Sequence, residues 1–133
     1  MSQGKTNKRM GSNAERLYAK LFRELGYTFC RTARQSSRIH DDAGIDLVNL
    51  PWNVQIKAGK QRGMNPSDVL RSIDERVKEL FPPGSVESCL SNILIHRKFV
   101  GRGKNRDKYD DLVIMSFEDF KDMIDGTDNN TKE

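Results

Sequence analysis

Residues 44–58 read GIDLVNLPWNVQIKA. Two short apolar segments, residues 44–48 and 54–58, flank a proline-containing stretch at residues 50–53. Apolar runs of this length on either side of a turn former are typical of neighbouring β-strands, so we predict a strand, a turn and a second strand here. Asp46 interrupts the first run, and a carboxylate is costly to bury in such a strand unless another group pairs with it.

Lys57 is the partner that this predicted hairpin supplies. Side chains alternate along a strand, so Gln55 and Lys57 share one face. If residues 50–53 form the turn, Lys57 lies opposite Asp46, and directly opposed residues share a face. The three polar side chains would then cluster, whereas a slip of one residue would bring Asp46 against Ile56 and separate them.

A cluster of this composition suits phosphodiester hydrolysis with a bound divalent cation. Such a cation takes oxygen ligands, and the Asp46 carboxylate, the Gln55 amide and the Ile56 main-chain carbonyl can supply them together with water. Lys57 can orient or activate the attacking water and stabilise charge on the phosphate. Glu15, which lies in the first predicted helix, can add a ligand through a water molecule.

The same residues also have structural explanations. Ser12 and Glu15 have the spacing of a capping box at the start of a helix. Asp46 and Lys57 can form an ion pair that serves only the fold. Both explanations stay open at the level of the sequence.

Apolar periodicity and helix-breaking residues predict the remaining elements of the chain. The predictions are a helix at 12–25 closed by Gly26, a strand at 27–34 with Tyr27 and Phe29 inward, a polar loop at 35–43, a basic loop at 59–65, a helix at 66–80, a strand at 91–99, a charged loop at 100–110, a buried strand at 112–115 and a helix at 117–124. The order αβββαβ, followed by a final strand and helix, predicts an α/β fold with a mixed sheet flanked by helices.

The chain of 133 residues is predicted to form one domain at 12–125, with a flexible basic arm at 1–11 and a polar tail at 126–133. Its net charge of +4 is unevenly distributed: residues 1–62 carry 12 Lys/Arg and 5 Asp/Glu, whereas residues 63–133 carry 11 and 14. A basic half suits a polyanion such as nucleic acid, because phosphate contacts dominate the affinity for nucleic acids.

Cysteine and histidine positions argue against a zinc centre. Cys30 and Cys89 are far apart in apolar runs, and we predict reduced, buried thiols in a cytoplasmic protein. His40 and His96 have no cysteine or histidine neighbours at zinc-binding spacing. No apolar stretch of the sequence approaches the roughly 20 residues of a membrane span.

Several motifs in the first half of the chain occur together in one family. They are GSNAER at 11–16, LFRELGY at 21–27, Arg31, GIDLV at 44–48 and VQIK at 54–57. This series resembles the archaeal-type Holliday junction resolvases of the PD-(D/E)xK nuclease superfamily, and most of all the resolvase-like proteins of phages and archaeal viruses. The motif-bearing match covers about residues 11 to 60, and its opening GSNAER is the most specific part.

The resemblance implies a restriction-endonuclease-like core and a homodimer that cuts branched DNA, such as a four-way junction, with Mg²⁺ or with Mn²⁺ in its place. Glu15 then matches an active-site acid, Asp46 the metal-binding aspartate and Lys57 the catalytic lysine. Ser36 or Ser37 matches a catalytically important loop serine. A two-fold symmetric dimer suits a junction because the junction is itself two-fold symmetric.

Basic residues near the bound phosphates are also implied. Arg31 and Arg34 match such positions in the family, and the loops at 59–65 and 102–108 are further candidates for phosphate contact. The full set that we predict to contact DNA is Lys8, Arg9, Arg16, Arg31, Arg34, Arg38, Lys60 and Arg62.

Gln55 departs from the family, which has Glu or Asp at this position. An amide keeps an oxygen ligand but lacks the negative charge, so Mg²⁺ should bind more weakly. Asp41 and Asp42, which follow His40 in the loop before Gly44, either replace the missing carboxylate or only solvate the loop.

Three functional hypotheses therefore stand. The chain is a junction-selective endodeoxyribonuclease, a related nuclease that acts on flapped, nicked or linear DNA, or a DNA-binding protein that has lost catalysis through Gln55. The apolar stripe of residues 69, 73 and 77 and the last helix are both possible dimer faces, with core packing as the alternative for each.

Overall fold

A computed structural model describes the backbone of residues 2–59, 63–101 and 108–131, and the side chains of residues 9–59, 63–101 and 108–126. Within the described residues, five strands form one sheet in the order β1-β2-β3-β4-β5. The strands are β1 (Arg31–Thr32), β2 (Leu47–Val48), β3 (Trp52–Ala58), β4 (Ser91–Phe99) and β5 (Tyr109–Ile114). The helices are α1 (Ser2–Glu24), α2 (Ala33–Ser36), α3 (Arg38–Asp42), α4 (Pro66–Leu80), α5 (Val86–Cys89) and α6 (Phe117–Thr131).

The predicted α/β architecture is confirmed. β3 and β4 run parallel, whereas the other neighbouring strands run antiparallel, so the sheet is mixed. One apolar cluster lies between the sheet and α1, and contains Ala14, Tyr18, Ala19, Leu47, Val54, Ile56, Ile93 and Ile95. A second cluster lies between the sheet and α4, and contains Ala43, Ile45, Ile73, Val77 and Phe81.

Helix α1 begins at Ser2, ten residues before the predicted start, so the predicted arm at 1–11 is helical over the part that the structure describes. No proline interrupts residues 2–11, but two glycines lie among them, so helix propensity alone does not predict this extension. Ser12 therefore lies inside the helix, and the capping-box explanation of Glu15 is wrong.

The end of α1 agrees with the prediction. Gly26 adopts a positive φ of 114°, and the N–H of Tyr27 donates to the carbonyl of Phe22 at 3.0 Å. The N–H of Gly26 donates to the carbonyl of Arg23 at 3.2 Å. These two bonds form a Schellman motif, which closes the helix at a residue that needs a left-handed backbone.

The segment after α1 differs most from the prediction. Only β1 is extended there, and Phe29 is 75% exposed rather than packed inward, although Cys30 is buried as predicted. The predicted loop at 35–43 instead contains α2 and α3, because the Ala33 N–H donates to the Asp46 carbonyl at 2.8 Å and the chain then turns into helix. Ser37 caps α3 by accepting the N–H of His40.

The hairpin of β2 and β3 has a different register from the predicted one. Leu47 pairs with Val54, and the N–H of Asp46 donates to the carbonyl of the same residue, so the predicted pairing of Asp46 with Lys57 is wrong. β3 already begins at Trp52, and Asn49 turns the chain with a positive φ of 65°, so the connection is shorter than assumed. Gln55 and Lys57 share one face of β3 as predicted, and both face α4. Asp46 instead interacts with Glu15 of α1, so the predicted clustering of the three side chains on one face is wrong.

Helix α4 and strand β4 form as predicted, with the predicted bounds. Asn65 caps α4 by accepting the N–H groups of Ser67 at 3.0 Å and Asp68 at 3.4 Å. Ile73 and Val77 are buried in the core, so the stripe of α4 is core packing and its interpretation as a dimer face is wrong.

The last strand and helix are longer and more exposed than predicted. Val113 is 65% exposed, because β5 is the edge strand of the sheet, so the prediction of a buried strand is wrong. α6 continues to Thr131, so the predicted polar tail at 126–133 is helical where the structure describes it. Cys89, at the end of the unpredicted α5, is exposed rather than buried.

A polar contact ties α1 to the far edge of the sheet. The Tyr18 hydroxyl donates to the Asp111 carboxylate, and both oxygens of that carboxylate accept from Nη1 of Arg97 at 3.0 Å. The Arg97 guanidinium also lies 4.1 Å from the ring centroid of Tyr109. Burial raises the pKa of Tyr18 above its ordinary value, so the hydroxyl stays a hydrogen-bond donor.

In the described part of the chain, none of the helices combines the length and the apolar character that crossing a lipid bilayer requires.

Two leucines provide a direct test of this packing. Leu94 in β4 is 0% exposed, whereas Leu25 after α1 is 75% exposed. We expect Leu94→Ala to lower the free energy of unfolding by about 2–5 kcal/mol, since it leaves a cavity in the sheet core. Leu25→Ala should change it by less than about 0.5 kcal/mol. Urea denaturation followed by circular dichroism measures both, and similar losses in the two variants would contradict the packing described.

Candidate active site

The centre of the candidate site is the point where the chain enters β2. The backbone N–H of Asp46 donates to the carbonyl of Val54 at 2.7 Å. Two residues further along β3, the N–H of Ile56 donates to Oδ2 of Asp46 at 2.7 Å. A side-chain carboxylate thus satisfies a strand N–H that would otherwise need a backbone acceptor, and this bond fixes the carboxylate beside β3.

Glu15 of α1 lies close to the Asp46 carboxyl. It is 5% exposed, and its Oε2 accepts from Nε of Arg34 at 2.8 Å. It also shares a hydrogen bond with Asp46. Glu15, Asp46 and Arg34, all singled out from the sequence, are therefore brought together. The Arg34 side chain pairs with Glu15 and is still 49% exposed, so its contact with DNA stays a prediction.

Burial of the Asp46 carboxyl, together with the negative charge of Glu15, raises the pKa of Asp46 to about 7. The Ile56 N–H and the positive charge of Lys57 act in the opposite direction and favour the carboxylate. Near neutral pH the Asp46 carboxyl is therefore partly protonated, whereas the Arg34 guanidinium supplies the counter-charge of Glu15.

Gln55 and Lys57 line a cavity of about 330 Å³ between β3 and α4. The other lining residues are Ala43, Gly44, Asp68, Val69, Ser72, Ile73 and Arg76. Gly44 has a φ of 81°, and a Cβ at this residue would lie 3.4 Å from Nε2 of Gln55. Gly44 therefore allows a tight turn and leaves Gln55 its place in the cavity.

The oxygen donors present suit a hard divalent cation. No group of three or more His, Cys, Asp or Glu side chains that could hold a metal ion occurs among the described residues, so Glu15 and Asp46 form a pair and not a complete shell. A buried carboxyl that binds a proton near neutral pH is nevertheless a group from which a cation can displace that proton. The Gln55 amide and the Ile56 carbonyl are further oxygen donors on the adjacent strand.

The two candidate serines make different contacts. The hydroxyl of Ser36 donates to the carbonyl of Thr32 at 2.7 Å. The hydroxyl of Ser37 lies 2.6 Å from Nδ1 of His40, whose Nε2 lies 3.2 Å from Oε1 of Glu87. Sequence reasoning missed this chain of contacts, because Glu87 is far from the loop along the sequence.

The acids of the inserted loop lie at the surface. Oδ2 of Asp42 is 3.8 Å from Nε of Arg38, and both side chains are more than half exposed. This position fits the interpretation that Asp42 solvates the segment. Arg38, which we predicted to contact DNA, has solvent access and only this weak ion pair.

A second cavity, of about 450 Å³, contains two of the predicted DNA-binding residues. Arg16 and Arg31 line it together with Lys20, Arg23, Ala19, Thr28, Cys30, Thr32 and Gln35. Lys20 and Arg23 were missed from the sequence, although their spacing from Arg16 puts all three on one side of α1. Arg23 is held in place because its Nη1 donates to the carbonyl of Cys30 at 2.9 Å.

Arg9 is exposed on α1, also in agreement with solvent access for a DNA-binding residue. The side chain of Lys8, the residues Lys60 and Arg62, and most of the predicted charged loop at 102–108 lie outside the described residues.

Comparison of the chain with protein-family models, with curated protein sequences and with solved structures returned no match.

The protonation of Asp46 leads to a prediction about stability. Its folded-state pKa is raised to about 7, above that of the unfolded chain, so the folded state binds the extra proton. Folding should therefore become less favourable as pH rises from about 4 to about 7 through this group. Asp46→Asn keeps an oxygen acceptor for the Ile56 N–H but cannot ionise.

We expect Asp46→Asn to raise the melting temperature more at pH 8 than at pH 5, relative to the unmodified protein. Thermal unfolding at the two pH values measures this difference, with Asp110→Asn, at an exposed residue of β5, as the control. An equal effect of Asp46→Asn at both pH values would show that Asp46 is already ionised in the folded protein.

Proposed function

We propose that this chain is a divalent-metal-dependent endodeoxyribonuclease that cuts branched DNA, in particular four-way junctions. The observation that carries the proposal is the buried Glu15–Asp46 pair, held against β3 by the Ile56 N–H, with the charge of Lys57 close enough to act on it. We also propose a restriction-endonuclease-like core. The order of α1, the first three strands, α4 and β4 around a mixed sheet supports it.

Asp46, Glu15, the Gln55 amide and the Ile56 carbonyl would hold Mg²⁺, or Mn²⁺ in its place. When bound, the cation lowers the pKa of a coordinated water and neutralises charge on the phosphate. Lys57 directs its ammonium group towards the phosphate and the attacking water. As the new P–O bond forms and the old one breaks, the proton of the water leaves to solvent or to a basic side chain and the leaving oxygen gains a proton.

Gln55 limits how tightly the proposed site binds the cation. It supplies an oxygen without a negative charge, so the cation is held by fewer charges than in a site with Glu at this position. The exposed Asp42 side chain pairs with Arg38 and does not supply the missing negative charge to the site. The proposed enzyme therefore needs a higher concentration of divalent cation than its resemblance to the resolvases alone would imply.

The basic cavity of Arg16, Lys20, Arg23 and Arg31 supports DNA as the substrate. The residues that line it, all within the described part of the chain, include no Asp or Glu, so its positive charges are not neutralised locally. Thr28, Thr32 and Gln35 add side-chain hydrogen-bond donors. Charged donors combined with hydroxyl and amide groups are the contacts that phosphate oxygens receive from DNA-binding proteins.

The exposed edge of the sheet supports the proposed homodimer. Leu112 and Val113 on β5, and Phe117 and Phe120 on α6, are exposed apolar residues that follow one another along the chain. Apolar groups that cluster at a surface are typical of contacts between proteins. A pairing of two such edges about a two-fold axis would give the proposed enzyme two sites for two symmetric cuts.

The decisive test uses a labelled four-way junction and a linear duplex of matched sequence, each incubated with Mg²⁺ and then with Mn²⁺. We expect paired cuts in the junction, at a rate lowered at least a hundredfold by Asp46→Asn and by Lys57→Ala, because each removes a group at the reacting phosphate. Lys121→Ala, on α6, is the matched control for Lys57→Ala.

Equal cutting of junction and duplex would keep the nuclease but remove the junction selectivity. Binding of the junction without cutting in either metal would instead identify the chain as a DNA-binding protein without catalysis.

Gln55→Glu tests the composition of the site separately. It restores a carboxylate beside Asp46, so we expect half-maximal cutting at a Mg²⁺ concentration at least about tenfold lower than for the unmodified protein. Titration of the cutting rate with Mg²⁺ measures this shift. An unchanged or higher Mg²⁺ requirement would mean that residue 55 is not a ligand of the cation.

A further inference from the structure

The cavity that Lys57 lines contains a second cationic residue, Arg76, on the side formed by α4. Lys57 and Gln55 enter it from β3, whereas Ser72 and Arg76 enter it from α4. Arg76 was not singled out from the sequence, where it is one of several charged residues on a helix. Its place in the fold, facing the strand that carries Lys57, distinguishes it from the other basic residues of α4.

The guanidinium of Arg76 lies beside the turn at Gly44. Its Nη1 lies 3.9 Å from the point that a Cβ on Gly44 would occupy, and Nε2 of Gln55 lies 3.4 Å from the same point. Both donors thus converge above one glycine. Nη1 of Arg76 also donates to the carbonyl of Asp42 at 3.4 Å, which orients the side chain but engages one of the five N–H donors of a guanidinium.

The charge of this cavity favours an anion. Lys57 and Arg76 both contribute a positive charge, and the acid among the lining residues is Asp68. Oδ1 of Asp68 accepts from Nη1 of Arg71 at 3.0 Å, so its charge is shared with another cation on the same helix. Within the cavity wall Asp68 is thus paired with Arg71, while Lys57 also interacts with Asp46 outside that wall.

We propose that this cavity is a phosphate-binding site and that Arg76 binds the DNA phosphate beside Lys57. A guanidinium suits the task because its planar donors match two oxygens of a phosphate at once. Ser72 and the Gln55 amide are further donors in the same wall. The identity of the ligand as a backbone phosphate rests on the proposed nuclease function, whereas the binding of phosphate itself does not.

The test compares Arg76→Gln with Lys78→Gln, a change to an exposed lysine of α4 that pairs with Asp74. Binding of a labelled four-way junction is measured by fluorescence anisotropy in EDTA, over a range of salt concentrations. Loss of one phosphate contact should reduce the slope of log K against log salt by about one and weaken binding about tenfold at 0.1 M salt. Lys78→Gln should leave both quantities unchanged.

Two further measurements keep the two proposals separate. Inorganic phosphate should raise the melting temperature of the unmodified protein, and this rise should be smaller in Arg76→Gln but not in Lys78→Gln. Arg76→Lys keeps the positive charge but lacks the planar pair of donors, so it should keep the salt slope while binding the junction more weakly than the unmodified protein, and it serves as the test variant if Arg76→Gln does not fold.

Equal behaviour of the Arg76 and Lys78 variants in both measurements would overturn the phosphate site. A phosphate effect that depends on Arg76, combined with no binding of any DNA by the unmodified protein, would support the site as one for free phosphate and overturn the nuclease proposal.

Discussion

The hydrogen bond from the Ile56 N–H to the Asp46 carboxylate is the constraint on which the candidate site depends. Where β2 and β3 separate, β3 needs an acceptor for this N–H, and the protein uses an acid instead of a backbone carbonyl. One contact thus completes the strand and fixes the carboxylate next to Glu15. Oδ2 of Asp46 thus serves both the strand and the candidate site, so a substitution of this residue should affect both.

Helices α1 and α4 pack on the two faces of the sheet around this hydrogen bond. α1 carries Glu15 to it, and the Tyr18–Asp111–Arg97 contacts fasten the same helix to β4 and β5. On the opposite side α4 packs Ile73 and Val77 against the sheet and so carries Arg76 to the cavity of Lys57. The acidic pair therefore lies on the α1 side of β3, whereas the cavity lined by Lys57 and Gln55 lies on its α4 side.

Local signals in the sequence predicted the elements that local interactions determine. α4 follows from its Asn65 cap, its proline and its apolar stripe, and the bounds agreed with the structure. The hairpin register did not follow, because it depends on the left-handed turn at Asn49. The exposure of β5 depends on its place at the edge of the sheet, which residues 109–114 do not encode by themselves. The candidate residues could still be named, because an acid inside an apolar strand stands out whatever the register of its pairing.

The parallel pairing of β3 with β4 also affects how the protein is made. Glu15, Asp46 and Lys57 leave the ribosome before β4, which begins at Ser91, yet β3 has its longest pairing with that later strand. Contacts so distant along the chain form only after the intervening segment has been synthesised. Nascent chains that end before β4 therefore carry all three residues without the sheet that arranges them, and the candidate site can form only once β4 has been synthesised.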